Sequence, residues 1–147
     1  MLSVKNILFV PQYQFENKNS PDEKILLVLA AENNISIVYT LTTSQDTYIP
    51  NEYKKVGCVN DGLNFSMYVF EKGKIIGTKP NGQPFAFNKE TYIVFNNFEN
   101  IYDTSRLLEE YPDTSLLATF YDDVFDKFIN CLKASSMVKR KYKRILG

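Results

Sequence analysis

Apolar positions first gather between Val4 and Val10, a strand-length run that Pro11 ends or kinks, with Tyr13 and Phe15 extending it by alternation. Residues 16–20 are polar and loop-like. Ser20-Pro21-Asp22-Glu23 then has the form of a capping box: Ser at the N-cap, Pro at the first helical position, Glu three residues after the Ser. Its two acids also suit the positive end of a helix dipole. The pattern predicts a helix over residues 21–33, apolar all round from Ile25 to Ala31 and therefore deeply buried. A hairpin turning at Asn33-Asn34 is the rival reading, because Ile25 to Leu29 also suits a strand; the cap favours the helix.

Ile35 to Leu41 is rich in β-branched and aromatic residues and predicts a strand. Residues 43–62 are polar, with Pro50, Gly57 and Gly62; a connection that long is functional or hides a short element. Leu63 to Glu71 alternates, placing Leu63, Phe65, Met67 and Val69 on one face of a strand and Asn64, Ser66, Tyr68 and Phe70 on the other. Glu71-Lys72-Gly73-Lys74 predicts a tight turn into a strand from Lys74 to Gly77. Pro80-Asn81-Gly82-Gln83 predicts a second turn, since Asn-Gly is the usual type I′ pair. Short strands follow at Phe85 to Asn88 and Tyr92 to Asn96, so the middle third reads as an antiparallel meander.

From residue 101 the period becomes helical. Asp103 can cap a short helix over residues 104–110, which stops before Pro112. Asp113 or Thr114 can cap a longer one, on which Leu117, Phe120, Tyr121, Val124, Phe125, Phe128, Cys131 and Leu132 share a face. Burying roughly five large side chains there is worth on the order of 10 kcal/mol gross. Net domain stability is only about 5–15 kcal/mol, so docking of that helix is expected to be essential. The expected architecture is one α+β domain over residues 1–147. It has an N-terminal strand–helix–strand unit, a central antiparallel β-meander, two C-terminal helices packed on the sheet, and a basic amphipathic segment at 137–147.

Composition changes the picture mainly by what it lacks. The 147 residues include no His. Imidazole is the commonest general acid/base near neutral pH, so Ser-His-Asp and Cys-His activation are excluded, as is every metal site that needs His. Carboxylate chemistry, a Ser-Lys dyad, carboxylate-held magnesium or no chemistry remain. Cys58 and Cys131 have no metal or C-x-x-C spacing, and residues 7–10 are too short for a secretory core. The chain therefore reads as cytoplasmic (host cytoplasm or virion, if viral) with two reduced thiols. Without a secretion route, Asn34-Ile35-Ser36 and Asn64-Phe65-Ser66 are chance matches to the glycosylation triplet. No apolar run is long enough to cross a membrane as a helix. Lys, Asn, Ile, Phe and Tyr make up 60 of the 147 residues, which points to a low-GC genome such as those of many bacteria, their phages and some viruses.

Charge is balanced overall, 17 bases against 17 acids, but segregated. Residues 101–126 hold seven acids and one base; residues 127–147 hold seven bases and no acid. Lys139, Arg140, Lys141, Lys143 and Arg144 interleave with Val138, Tyr142 and Ile145 at helical spacing. Three readings compete for this segment: cations solvating a helix C-terminus, docking on an acidic protein with the apolar residues as anchors, and contact with nucleic-acid phosphates. Asp122, Asp123 and Asp126 could hold magnesium, but Asp122 and Asp126 lie nearly opposite Val124 and fit a solvated face better. Ser136-Met137-Val138-Lys139 has the spacing of a Ser-Lys nucleophile without the companion motifs, and no phosphate-cradling glycine loop occurs. The aromatic residues of the meander are expected to pack on helices or on another chain.

The leading expectation is a non-enzymatic protein–protein interaction or assembly component of a phage or virus, with no cofactor, a protein or homo-oligomer partner and no membrane. A nucleic-acid-binding accessory protein using the basic C-terminus is the alternative. A carboxylate- and magnesium-dependent enzyme is a further one. Under the leading reading, removal of residues 138–147 spares the fold and abolishes partner binding.

Overall fold

The computed structural model describes residues 2–13, 22–32, 35–40, 52, 55–62, 65–95 and 101–146. In chain order the elements are β1 (Asn6–Tyr13), β2 (Asp22–Glu32), β3 (Ile35–Thr40), β4 (Gly57–Asn60), β5 (Ser66–Phe70), β6 (Ile75–Thr78) and β7 (Pro84–Ala86). There follow β8 (Thr91–Val94), β9 (Ile101–Asp103), α1 (Thr104–Glu110), β10 (Ser115–Phe120), α2 (Asp122–Ala134) and α3 (Arg140–Ile145). The fold is α+β as expected, with two antiparallel sheets: a seven-stranded one in the order β7-β6-β10-β1-β2-β3-β9, and a three-stranded one, β4-β5-β8.

The expected helix at 21–33 is a strand instead. β2 lies between β1 and β3, and its hairpin with β3 closes from Glu32 opposite Ile35, which is the rival reading of that segment. The apolar run looked helical because it is apolar on every side, yet a strand covered on both faces gives the same pattern. Leu27 and Leu29 join the main core, while Leu26 and Val28 meet Leu107 of α1 on the opposite face. A helix cap contributes about 1 kcal/mol. Completely burying Leu26, Leu27 and Val28 contributes about 1.5–3 kcal/mol each, so packing overrides the local cap.

A second correction concerns residues 115–120. They form β10, paired with β1 on one side and β6 on the other, so the long helix begins only at Asp122. Helical spacing of Leu117, Phe120 and Tyr121 is overridden by two strands whose inner backbone edges need a partner. Thr114 caps no helix; its hydroxyl donates to the Tyr111 carbonyl at 2.6 Å. α1 occupies the residues expected for it. The long 43–62 connection does hide a short element, β4; residues 43–51, 53 and 54 lie outside the described residues.

The meander is antiparallel but divided between the sheets. β5 pairs with β4 and β8, whereas the β6–β7 hairpin crosses to the large sheet and pairs with β10. The turn at Gly73, with φ +77°, redirects the chain. At Gly77 the two backbones approach so closely that a Cβ would overlap the Thr119 carbonyl oxygen.

One core spans both sheets. Phe70 of β5 stacks on Phe120 of β10 at 5.8 Å between ring centroids. Phe128 of α2 meets Tyr68 edge-on at 5.4 Å and lies 5.8 Å from Phe70 and 5.9 Å from Phe95. The meander's aromatic residues are therefore largely packed inward, as the intramolecular version of that expectation required. α2 ends at Ala134; Ser135 is fully buried, its hydroxyl hydrogen-bonded to that of Ser66 and accepting the Met137 N–H at 3.1 Å. α3 is thus a separate short helix and not a continuation of α2. No described helix is long and apolar enough to cross a membrane.

Candidate functional site: a groove beside α2

α2 faces the core on one side and a groove on another. Phe125, Phe128, Ile129 and Leu132 face the shared core. A neighbouring stripe, Asp123, Val124, Lys127, Asn130, Cys131 and Ala134, forms one wall of a groove of about 730 Å³. The opposite wall comes from Val56 to Cys58 at β4, from Tyr68 and Phe70 of β5, and from Ile75 and Ile76 of β6. The groove therefore lies where the chain leaves the small sheet for the large one.

Its lining is mainly apolar. Val56 is 52% exposed, Ile75 51% and Tyr121 41%; all three line the groove, and Val4 is the only other large apolar side chain so exposed among the described residues. Scattered exposed apolar residues are ordinary; here three of the four large ones stand around one concavity. Exposed Glu71, Lys74, Asp123 and Lys127 lie among them, so the rim carries both signs of charge. Burial pushes the Tyr68 phenol above its ordinary value, which keeps it protonated at neutral pH. A volume of this size, with a few polar groups on apolar walls, fits ligand and peptide sites generally.

The cysteines meet here. Cys58 on β4 and Cys131 on α2 form a disulfide across a sequence separation of 73. This overturns the reading of two reduced thiols, a state that reading had tied to a cytoplasmic location. No spacing rule could pair them, because their approach depends on β4 docking against α2. Beside the disulfide, the Asn60 side-chain amide donates to the Ala134 carbonyl at 3.2 Å.

The basic C-terminal segment is placed differently from the expectation. Val138 and Tyr142 are each 3% exposed and belong to the main core, with Ile145 and Leu146 packed partly against it. The apolar anchors are turned inward, because α3 uses them to dock. Lys139, Arg140, Lys141 and Arg144 remain exposed and Lys143 is half-buried; the Lys141 ammonium sits 5.0 Å from the Tyr142 ring centroid. Four of the five bases are thus at the surface, while the apolar residues expected to act with them are turned into the core.

The three aspartates also diverge in role. Asp122 accepts from the Lys5 ammonium at 2.9 Å, Asp123 lines the groove and Asp126 is exposed. Among the described residues no three His, Cys, Asp or Glu side chains are grouped to hold a metal ion.

No family model, curated protein or solved structure matches this chain. Its chemistry is therefore read from its own residues. The groove escaped the sequence because its walls come from four separate segments; the one local hint is that Val56 and Ile75 each stand beside lysines in polar stretches.

Proposed function

We propose that this chain is a non-catalytic interaction protein that holds an extended, mostly apolar segment of a partner protein in the groove beside α2. The observation that carries the reading is the gathering of Val56, Ile75 and Tyr121, exposed, around a single concavity. The mixed rim charges, two acids and two bases, complement a polypeptide segment and not a polyanion. From Asp123 to Ala134 the helix rises about 17 Å at 1.5 Å per residue. About five residues of extended chain cover that length. The missing imidazole supports a binding role over an acid–base one.

Peptides selected from a displayed random library against the purified chain test this directly. Ile75→Asp and Val56→Asp should each weaken a selected peptide at least tenfold while leaving melting nearly unchanged, since both side chains are exposed. Peptides that bind the Ile75→Asp protein as tightly as the original refute the reading. Concentration-dependent dimerisation abolished by the same substitution would assign the groove to a second copy instead.

A second reading, contact with an anionic partner such as nucleic acid, is favoured by the five bases at 139–144 standing on a docked segment. It needs no apolar anchor, since phosphate contacts alone supply sequence-independent affinity.

A further inference from the structure

We infer that the Cys58–Cys131 disulfide is a redox catch on the groove: reduction releases β4 from α2 and widens the site. The inference rests on the reading of the groove as a binding site, but its structural part can be tested without any partner.

β4 is lightly held. It pairs along one edge with β5 over Gly57 to Asn60, and of its four residues only Val59 is buried. Among the described residues its covalent and hydrogen-bond ties to α2 are the disulfide and the exposed Asn60–Ala134 hydrogen bond. β5, by contrast, is anchored by Met67, Val69 and Phe70, all 3% exposed or less. Cutting the disulfide therefore frees the outer strand of the small sheet and leaves its centre in place. A segment with few buried contacts opens at low free-energy cost while the surrounding core stays closed.

Access and balance both fit. Cys58 is exposed at the groove wall, whereas Cys131 is 4% exposed. A thiolate of an external dithiol attacks the Cys58 sulfur, forming a mixed disulfide, and Cys131 leaves as a thiolate that takes up a proton. The second thiol of the reagent resolves the mixed disulfide, so Cys58 also becomes a thiol and the reagent is oxidised to its own disulfide. Two electrons and two protons pass to the protein. The buried product has an acceptor waiting: the Cys131 sulfur lies 3.7 Å from the Met67 carbonyl oxygen, to which its S–H can donate. The chain has no third cysteine, so reduction cannot reshuffle the pairing.

Hydrogen exchange with and without dithiothreitol tests the catch, with alkylation confirming two free thiols. On reduction the amides of β4 should gain at least tenfold more in exchange rate than those of β5 and β10, whose rates rise only with the general loss of stability. The Cys58→Ser/Cys131→Ser double variant should match the reduced protein and ignore the reductant. Anilinonaphthalene sulfonate, an apolar dye, should bind the reduced and oxidised forms with at least threefold different affinity. Unchanged β4 exchange overturns the catch, as does an acceleration of equal size in β4, β5 and β10, or equal dye affinity in the two redox states. Dye binding unaffected by Ile75→Asp, with redox-dependent exchange of β4 intact, overturns the groove reading and leaves the catch.

Discussion

Phe128 of α2 lies in the core that the two sheets share. It is fully buried, contacts rings on β5 and the ring of Phe95, and lies directly behind the groove wall formed by Tyr68 and Phe70. Phe128→Ala removes roughly 2 kcal/mol of transfer free energy. The vacated ring volume, on the order of 100 Å³ at about 24 cal/mol per Å³, adds roughly 2.4 kcal/mol where neighbours do not collapse. The expected cost is therefore about 4 kcal/mol. For a chain of this length that corresponds to a fall in Tm of roughly 8–16 °C. Urea unfolding followed by far-ultraviolet circular dichroism reads the free energy, and tyrosine fluorescence supplies a second probe. Because Phe128 belongs to a core built from both sheets, the two probes should shift together in one transition; Phe128→Leu, which keeps much of the volume, should cost less than half as much. A loss below about 1.5 kcal/mol, or two separated transitions in which the small sheet melts alone, refutes the shared core.

Gly77→Ala should destabilise by about 1–3 kcal/mol, because the added methyl must displace the Thr119 carbonyl of β10; a melting curve within a degree of the original refutes the close approach. The Cys58→Ser/Cys131→Ser variant should lose about 4 kcal/mol in the chain-entropy account of a 73-residue separation, read by urea titration; a loss under about 1 kcal/mol argues against the disulfide. The Lys5 ammonium is held above its ordinary value chiefly by its hydrogen bond to Asp122. Its contribution is therefore complete below pH 10.5 and lost as pH rises through the raised value, so the stability gap between the original protein and Asp122→Asn should be flat at neutral pH and shrink above 10.5.

The legible parts of this fold were those governed by local signals. The turns at Gly73 and Asn81-Gly82, the alternation of β5 and the short α1 all lie where the sequence places them. The errors share a cause. In β2 and β10, local signals pointed to helices, but both segments lie inside a seven-stranded sheet where long-range backbone pairing and two-sided burial decide. The same blindness applies to the groove. Cys58, Tyr68, Ile75 and Lys127 line one groove only because β4, β5, β6 and α2 converge, and a pattern along the chain does not record convergence. Amphipathicity misled at the C-terminus for a different reason. It identified Val138, Tyr142 and Ile145 as one apolar face correctly, but not that the chain covers this face itself.

That last point reverses one expectation. Deleting residues 138–147 was expected to spare the fold, yet it removes Val138 and Tyr142 from the main core together with the partly buried Ile145 and Leu146. Two fully buried side chains alone are worth roughly 3–6 kcal/mol. Against a net stability of about 5–15 kcal/mol, the truncated chain should melt far below the original or fail to fold. Loss of binding by such a truncation would then carry no information about the surface. Substituting the exposed bases leaves the core intact: Lys139→Gln, Arg140→Gln, Lys141→Gln and Arg144→Gln together should change melting little, since each side chain is exposed. If the segment grips duplex phosphates through all five bases, log K for a DNA duplex falls against log salt with a slope near −4.5, at about −0.9 per contact. The four-base variant should bring that slope to about −0.9. A slope shallower than about −1 for the original protein removes the nucleic-acid reading and leaves the groove as the binding surface.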